Sequence, residues 1–211
     1  MPLARCILEA APSQTPVSLR DWFIQRCLHI SSRAYWPVHH SSTVTWPSRI
    51  RIGVETSPGL MHGCYIQGMG GIEVGDYTQI SCNVGMVSMN HLPEDTRRHK
   101  SVPAPSIVIG HYGWLGMNSV ILPEVKLGDF TVVGAGAVVT KSFPKGYQVI
   151  AGNPARVIRE LEPADCMPFT SAYEYHGYIQ QKEWEEFQSK NLELPQVLGP
   201  RPVVLQNHSS Q

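Results

Sequence analysis

Residues 109–143 read IGHYGWLGMNSVILPEVKLGDFTVVGAGAVVTKSF, and stepping through them six at a time lands on Ile109, Leu115, Ile121, Leu127, Val133 and Val139. Every step is aliphatic. The position after each carries Gly110, Gly116, Leu122, Gly128, Gly134 and Thr140, and the fifth position carries Gly113, Ser119, Val125, Thr131, Ala137 and Phe143. Side chains alternate between the two faces of a strand, and a glycine-bearing turn lets the chain change direction within a few residues. A period of six therefore describes a short flat strand and a turn, three of which close a triangular coil of eighteen residues. Coils stacked about 4.8 Å apart in parallel register would set Ile109 against Leu127 and make the core a column of aliphatic side chains.

The same step runs upstream through Val44, Ile50, Thr56, His62, Gly68, Val74, Ile80 and Met86, less strictly, with Ser48, Val54, Leu60, Ile66, Ile72, Thr78, Val84 and Asn90 at the fifth position. Residues 92–108 do not fit it. They carry Pro93, Glu94, Asp95, Arg97, Arg98, Pro103 and Pro105 and read as a loop excluded from the coil. The fold is thus expected to be mainly β: a parallel β-helix of hexapeptide repeats over 44–159 with an excluded loop at 92–108. An N-terminal segment, 1–43, and a C-terminal segment, 160–211, flank it.

The flanks read as short helices and a tail. Ser18 and Asp21 form a capping box with Asp in place of Glu, and Leu19, Trp22, Phe23, Cys27 and Ile30 fall at helical spacing. This predicts an amphipathic helix over 18–32 that covers the open edge of the first coil. A second helix is predicted around 179–190, with Trp184 and Phe187, and the tail 195–211, with three prolines, reads as a loose arm.

Charge and composition narrow the function. Seventeen Lys and Arg balance seventeen Asp and Glu, so the broad basic field that attracts nucleic acid is missing. Five cysteines without CxxC spacing read as reduced thiols, not as a disulfide framework or a thiolate zinc site. The apolar stretch 22–30 is broken by Arg26 and lacks the form of a signal peptide. No run approaches the ~20 apolar residues of a membrane span, and a cytoplasmic protein is expected.

Three segments resemble the hexapeptide acyltransferases of the maltose, galactoside and polysaccharide O-acetyltransferase type: Ile109 to Pro123 with its Trp114, Val133-Gly-Ala-Gly-Ala-Val-Val-Thr-Lys141, and Ile150-Ala-Gly-Asn-Pro-Ala-Arg-Val-Ile-Arg159. That resemblance implies a left-handed coil, against the usual right-handed crossover, and acetyl-CoA as co-substrate with no metal required. His91, at the repeat boundary before the excluded loop, then corresponds to the family's catalytic histidine. Imidazole, with an unperturbed pKa of ~6.5, suits a base that takes the proton of an acceptor hydroxyl near neutral pH. The resemblance further implies Trp114 beside the thioester and an oxyanion-binding amide near Gly116 or Met117. The pantetheine arm would pass Ala135, Gly136 and Thr140, and Lys141, Arg156 and Arg159 would meet the phosphates.

Glu73 lies eighteen residues before His91 and is expected to stack beneath it and orient the imidazole. His62, at an inward step, reads equally as core or acceptor contact, and His99, in the loop, as an acceptor contact. The acceptor is expected to be a saccharide or polysaccharide-precursor hydroxyl, with a xenobiotic alcohol or an amino sugar as alternatives. A γ-type carbonic anhydrase on the same fold would need histidines spaced for zinc, whereas His91 and His99 are eight apart. A non-catalytic scaffold would leave Trp114 and the trailing cations without a role. A filled prism has no interior cavity, so a second chain must help form each cleft, and the resemblance implies a homotrimer that shares its sites between chains.

Overall fold

The computed structural model describes residues 3–203. The inward column is present: Ile109, Leu115, Ile121, Leu127, Val133 and Val139 are all buried. Ile109 pairs with Leu127, Leu115 with Val133 and Ile121 with Val139, each in parallel and eighteen residues apart. The result is a left-handed parallel β-helix with three faces. The first face holds Thr43–Thr45, Tyr65–Gln67, Gly85–Val87, Val120–Ile121 and Val138–Val139. The second holds Ile50–Ile52, Ile72–Val74, Ile107–Ile109 and Lys126–Leu127. The third holds Gln79–Ile80, Trp114–Leu115, Thr131–Val133 and Gln148–Gly152, closed by the antiparallel strand Ala155–Glu160. Glycine allows the coils to meet closely, since a Cβ on Gly110 would lie 2.6 Å from the Asp129 amide nitrogen one coil on.

Upstream, the strict step of six fails. Val44 pairs with Ile66 and Ile52 with Val74, twenty-two residues apart, and Ile66 with Met86, twenty apart. The extra residues swell the corners, so Ile66 takes the inward column instead of a fifth position. His62, expected inward, is exposed on the edge between the third and first faces. The excluded loop also ends sooner than expected, because Ile107 and Val108 are already buried strand residues. It contains a hairpin of His91–Leu92 against Asp95–His99.

The open top of the prism is plugged by aromatic side chains from outside the repeat. Trp36 is fully buried and donates to Pro58 O, while Tyr35 donates to Ile50 O and accepts from the Ile52 amide. Helix α3 (Gln181–Asn191) adds Trp184 and Phe187 to this cluster. Helix α1 (Leu3–Ala10), not expected from the sequence, buries Cys6 and Ala10 beside Tyr175.

Helix α2 (Leu19–Cys27) begins at the expected Ser18 cap, whose hydroxyl accepts from the Asp21 amide at 3.0 Å. It is shorter than expected and does not lay an apolar face on the coil: Leu19 and Phe23 are exposed, and its buried residue is Gln25. That amide donates to Trp36 O and accepts from the Tyr178 hydroxyl, so the helix is docked by hydrogen bonds. No helix among the described residues is long and apolar enough to cross a membrane.

The C-terminal arm is a strap over the second face as far as residue 203; residues 204–211 lie outside the described part. Leu194 is buried, and its carbonyl accepts from Arg51. The Val197 amide donates to Glu73, His111 Nε2 donates to Gly199 O, and Arg201 bonds Asp76 and Glu174.

Leu115 is fully buried, with Ile80 and Val133 as its Cα partners on either side. Leu115→Ala is expected to cost about 3 kcal/mol in chemical denaturation; an unchanged midpoint would contradict a continuous aliphatic column.

Candidate active site

The chain is guided out of the first face to His91 by side-chain bonds from the preceding coil. The Ser88 hydroxyl accepts from the Gly70 amide at 2.8 Å and donates to Gln67 O. The Gln67 side chain clamps Met89, accepting from its amide at 3.1 Å and donating to its carbonyl at 3.4 Å. Both residues escaped the sequence reading. At the hairpin's base the Lys100 amide donates to Asn90 O at 2.8 Å, and Lys100 Nζ bonds Glu124 at 2.6 Å. His91 is exposed and sits directly opposite His99, with ring centroids 4.5 Å apart.

The other sequence-derived residues gather mainly on the opposite edge of the first face, where the third face turns into it. There the Asn83 amide donates to His62 O, the Asn118 amide to Cys82 O and the Gly136 amide to Met117 O, so His62, Met117, Ala135 and Gly136 belong to one corner column. Gly136 has φ +70° with open space where a Cβ would point, which leaves the backbone approachable. The Gly116 amide is spent on Val133 O at 2.8 Å. The Met117 amide has no hydrogen-bond partner among the described residues, which narrows the expected oxyanion donor to Met117.

Trp114 projects from the third face, 54% exposed. It borders a cavity of about 150 Å³ with Met61 and Gln14 and one of about 330 Å³ with Tyr77, Tyr112 and Phe169. The expected cations disperse: exposed Lys141 follows the first face and lies over the Phe143 ring, while Arg156 and Arg159 stand exposed on the closing strand of the third face.

No family model matches the chain. Galactoside O-acetyltransferase of Escherichia coli (strain K12) is 38% identical over 109 residues, which is 51% of this chain and 53% of the relative. An acetyltransferase of the same organism, WcaF, provisionally named for colanic acid biosynthesis, is 34% identical over 123 residues, 58% of this chain and 65% of the relative. A solved galactoside acetyltransferase in complex with coenzyme A aligns with a TM-score of 0.54 and 25% identity, covering 83% of this chain and 99% of that one. The repeat region is thus similar to hexapeptide-repeat acetyltransferases in sequence and in fold. It spans about half the length of the galactoside relative.

Within this hexapeptide-repeat frame one expected partnership is corrected. Glu73 does not stack beneath His91: in the ladder its partners are Arg51 and Val108, because the coils around it are not eighteen residues long and the hairpin carries His91 out of register. Its carboxylate lies under the strap, accepting from the Val197 amide at 2.8 Å, with Arg51 Nε at 4.0 Å. Burial pushes the Glu73 carboxyl above the ordinary glutamate range, while the Val197 amide holds it down. A neighbouring triad was also missed: the buried His111 accepts from the Asp76 amide at Nδ1, and Asp76 pairs with Arg201 at 3.0 Å. These residues hold the strap and lie away from the His91 hairpin.

Glu73→Gln is therefore expected to leave turnover within about twofold of wild type. Because the folded-state pKa is raised, the carboxylate's charge opposes folding above it. Relative to the Gln variant, the wild type should gain stability as pH falls through that raised value and lose it as pH rises. Melting curves of both proteins across pH check the sign; parallel curves together with a large loss of turnover would contradict the placement.

Proposed function

We propose that the protein transfers the acetyl group of acetyl-CoA to a hydroxyl of a saccharide or polysaccharide precursor, with His91 as general base. The observation that carries this reading is the layout of the first face. The His91 hairpin leaves one of its edges, and the Met117–Gly136 column forms the other, one or two rungs away. Relatives named as acetyltransferases and a neighbour described with coenzyme A support it.

In this reading the acceptor hydroxyl gives its proton to the neutral His91 imidazole as its oxygen attacks the thioester carbonyl. The Met117 amide receives the resulting oxyanion. Collapse of the tetrahedral intermediate breaks the carbon–sulfur bond, and the imidazolium returns the proton to the departing CoA sulfur. No acyl-enzyme forms. Trp114 walls the thioester, Ala135, Gly136 and Thr140 pass the pantetheine, and Lys141, Arg156 and Arg159 take the phosphates. His62, two rungs above Met117 on the same edge, contacts the acceptor. A cytoplasmic location is part of this reading, since acetyl-CoA is available there.

A face of six residues at about 3.3 Å each separates its two edges by on the order of 15–20 Å, too far for one chain to close a dry site. The second face is already covered by the strap and α3. The first face presents a flat, largely apolar surface of Tyr65, Val87, Val120 and Val138, with Gly85 opposite Val120. A cyclic homotrimer that sets the hairpin of one copy against the Met117–Gly136 edge of the next completes three sites.

His91→Ala is expected to lower acetyl transfer by about 10²-fold or more with acetyl-CoA affinity preserved. Wild-type turnover in that variant would remove the mechanism. Light scattering should give three times the 23.5 kDa chain mass, and a fully active monomer would remove the shared site.

A further inference from the structure

We propose that His99 is the positioning residue of His91, holding its imidazole by a close, tilted ring-on-ring contact; this rests on the reading of His91 as the base. A catalytic histidine needs its ring held in one orientation, commonly by a hydrogen bond at the second nitrogen. Neither ring nitrogen of His91 has a hydrogen-bond partner among the described residues, and Glu73 is engaged beneath the strap. What does meet the ring is His99. The two are directly opposed in the antiparallel hairpin, with centroids 4.5 Å apart and planes tilted by 33°. Cross-strand pairs at this separation restrict each other's rotamers.

The base of the hairpin is anchored on both sides of the pair. Lys100, next to His99, bonds Asn90 O and Glu124, and Asn90 follows the Met89 that Gln67 clamps. His99 thus acts through the flat face of its ring and not through a proton. An acceptor contact, by contrast, would use a ring nitrogen as donor or acceptor.

These roles separate in steady-state kinetics of His99→Ala, His99→Phe and His91→Ala. His99→Ala is expected to lower kcat about 10- to 100-fold with the acceptor KM unchanged, the upper end being the cost of a catalytic group misplaced by an ångström, and His99→Phe to restore kcat to within about threefold of wild type. In NMR spectra the His91 ring protons should carry the upfield displacement of a closely packed ring in the wild type and the Phe variant, and lose it in the Ala variant. Wild-type kcat in His99→Ala, beside an inactive His91→Ala, overturns this proposal alone. So does a raised acceptor KM in both His99 variants, which marks an acceptor contact. An active His91→Ala brings down the base reading and this proposal together.

Discussion

Parallel stacking of inward aliphatic side chains governs everything else in this molecule. Each rung buries an aliphatic side chain on every face against its neighbours above and below, as Leu115 is held between Ile80 and Val133. A hydrophobic column of this kind is stabilised by apolar area removed from water and leaves no interior room for a ligand. In the proposed reading chemistry is consequently displaced to the corners, where turns release side chains and amides from the ladder. The Met117 amide is such a released group, while that of Gly116, one residue earlier, is spent on the coil beneath.

The outward faces then differ by what covers them. The second face carries Arg51 and Glu73, both nearly inaccessible, with Asp76 and His111 at its end. Charges withdrawn from water in this way need partners, and the strap from Leu194 to Arg201 supplies carbonyls, an amide and a guanidinium. The face so covered is closed to another chain, in keeping with the proposal that two copies meet through the first face, flanked by the hairpin and the Met117–Gly136 column.

Sequence periodicity revealed the downstream coils because Gly110, Gly116, Gly128 and Gly134 keep the rungs between Ile109 and Val139 eighteen residues apart. It misled upstream, where coils of twenty and twenty-two residues have corners too long for a constant step; His62 was misplaced inward for that reason, and Glu73 beneath His91 for that reason and because the hairpin carries His91 out of register. Ser18 announced α2 correctly, but Gln25, a polar residue, docks it through bonds to Trp36 and Tyr178 that no hydrophobic pattern contains. The strap was illegible for a related cause. Its prolines suggest a loose arm, and its partners Glu73, Asp76 and His111 lie 88 to 125 residues earlier in the chain. The pairing of His91 with His99 needs the hairpin register, which spacing within a proline-rich loop does not disclose.

The central claim, that each site joins the His91 hairpin of one chain to the Met117–Gly136 edge of another, is tested most directly by complementation. Chains carrying His91→Ala would be co-assembled with chains carrying Ala135→Trp, a bulky block at an exposed corner position. Each homotrimer should be inactive. Any mixed trimer contains one junction at which an intact hairpin meets an intact edge, so mixing should restore acetyl transfer at one site in three. Mixed trimers that form, as shown by their mass, yet remain as inactive as either parent would contradict the shared site.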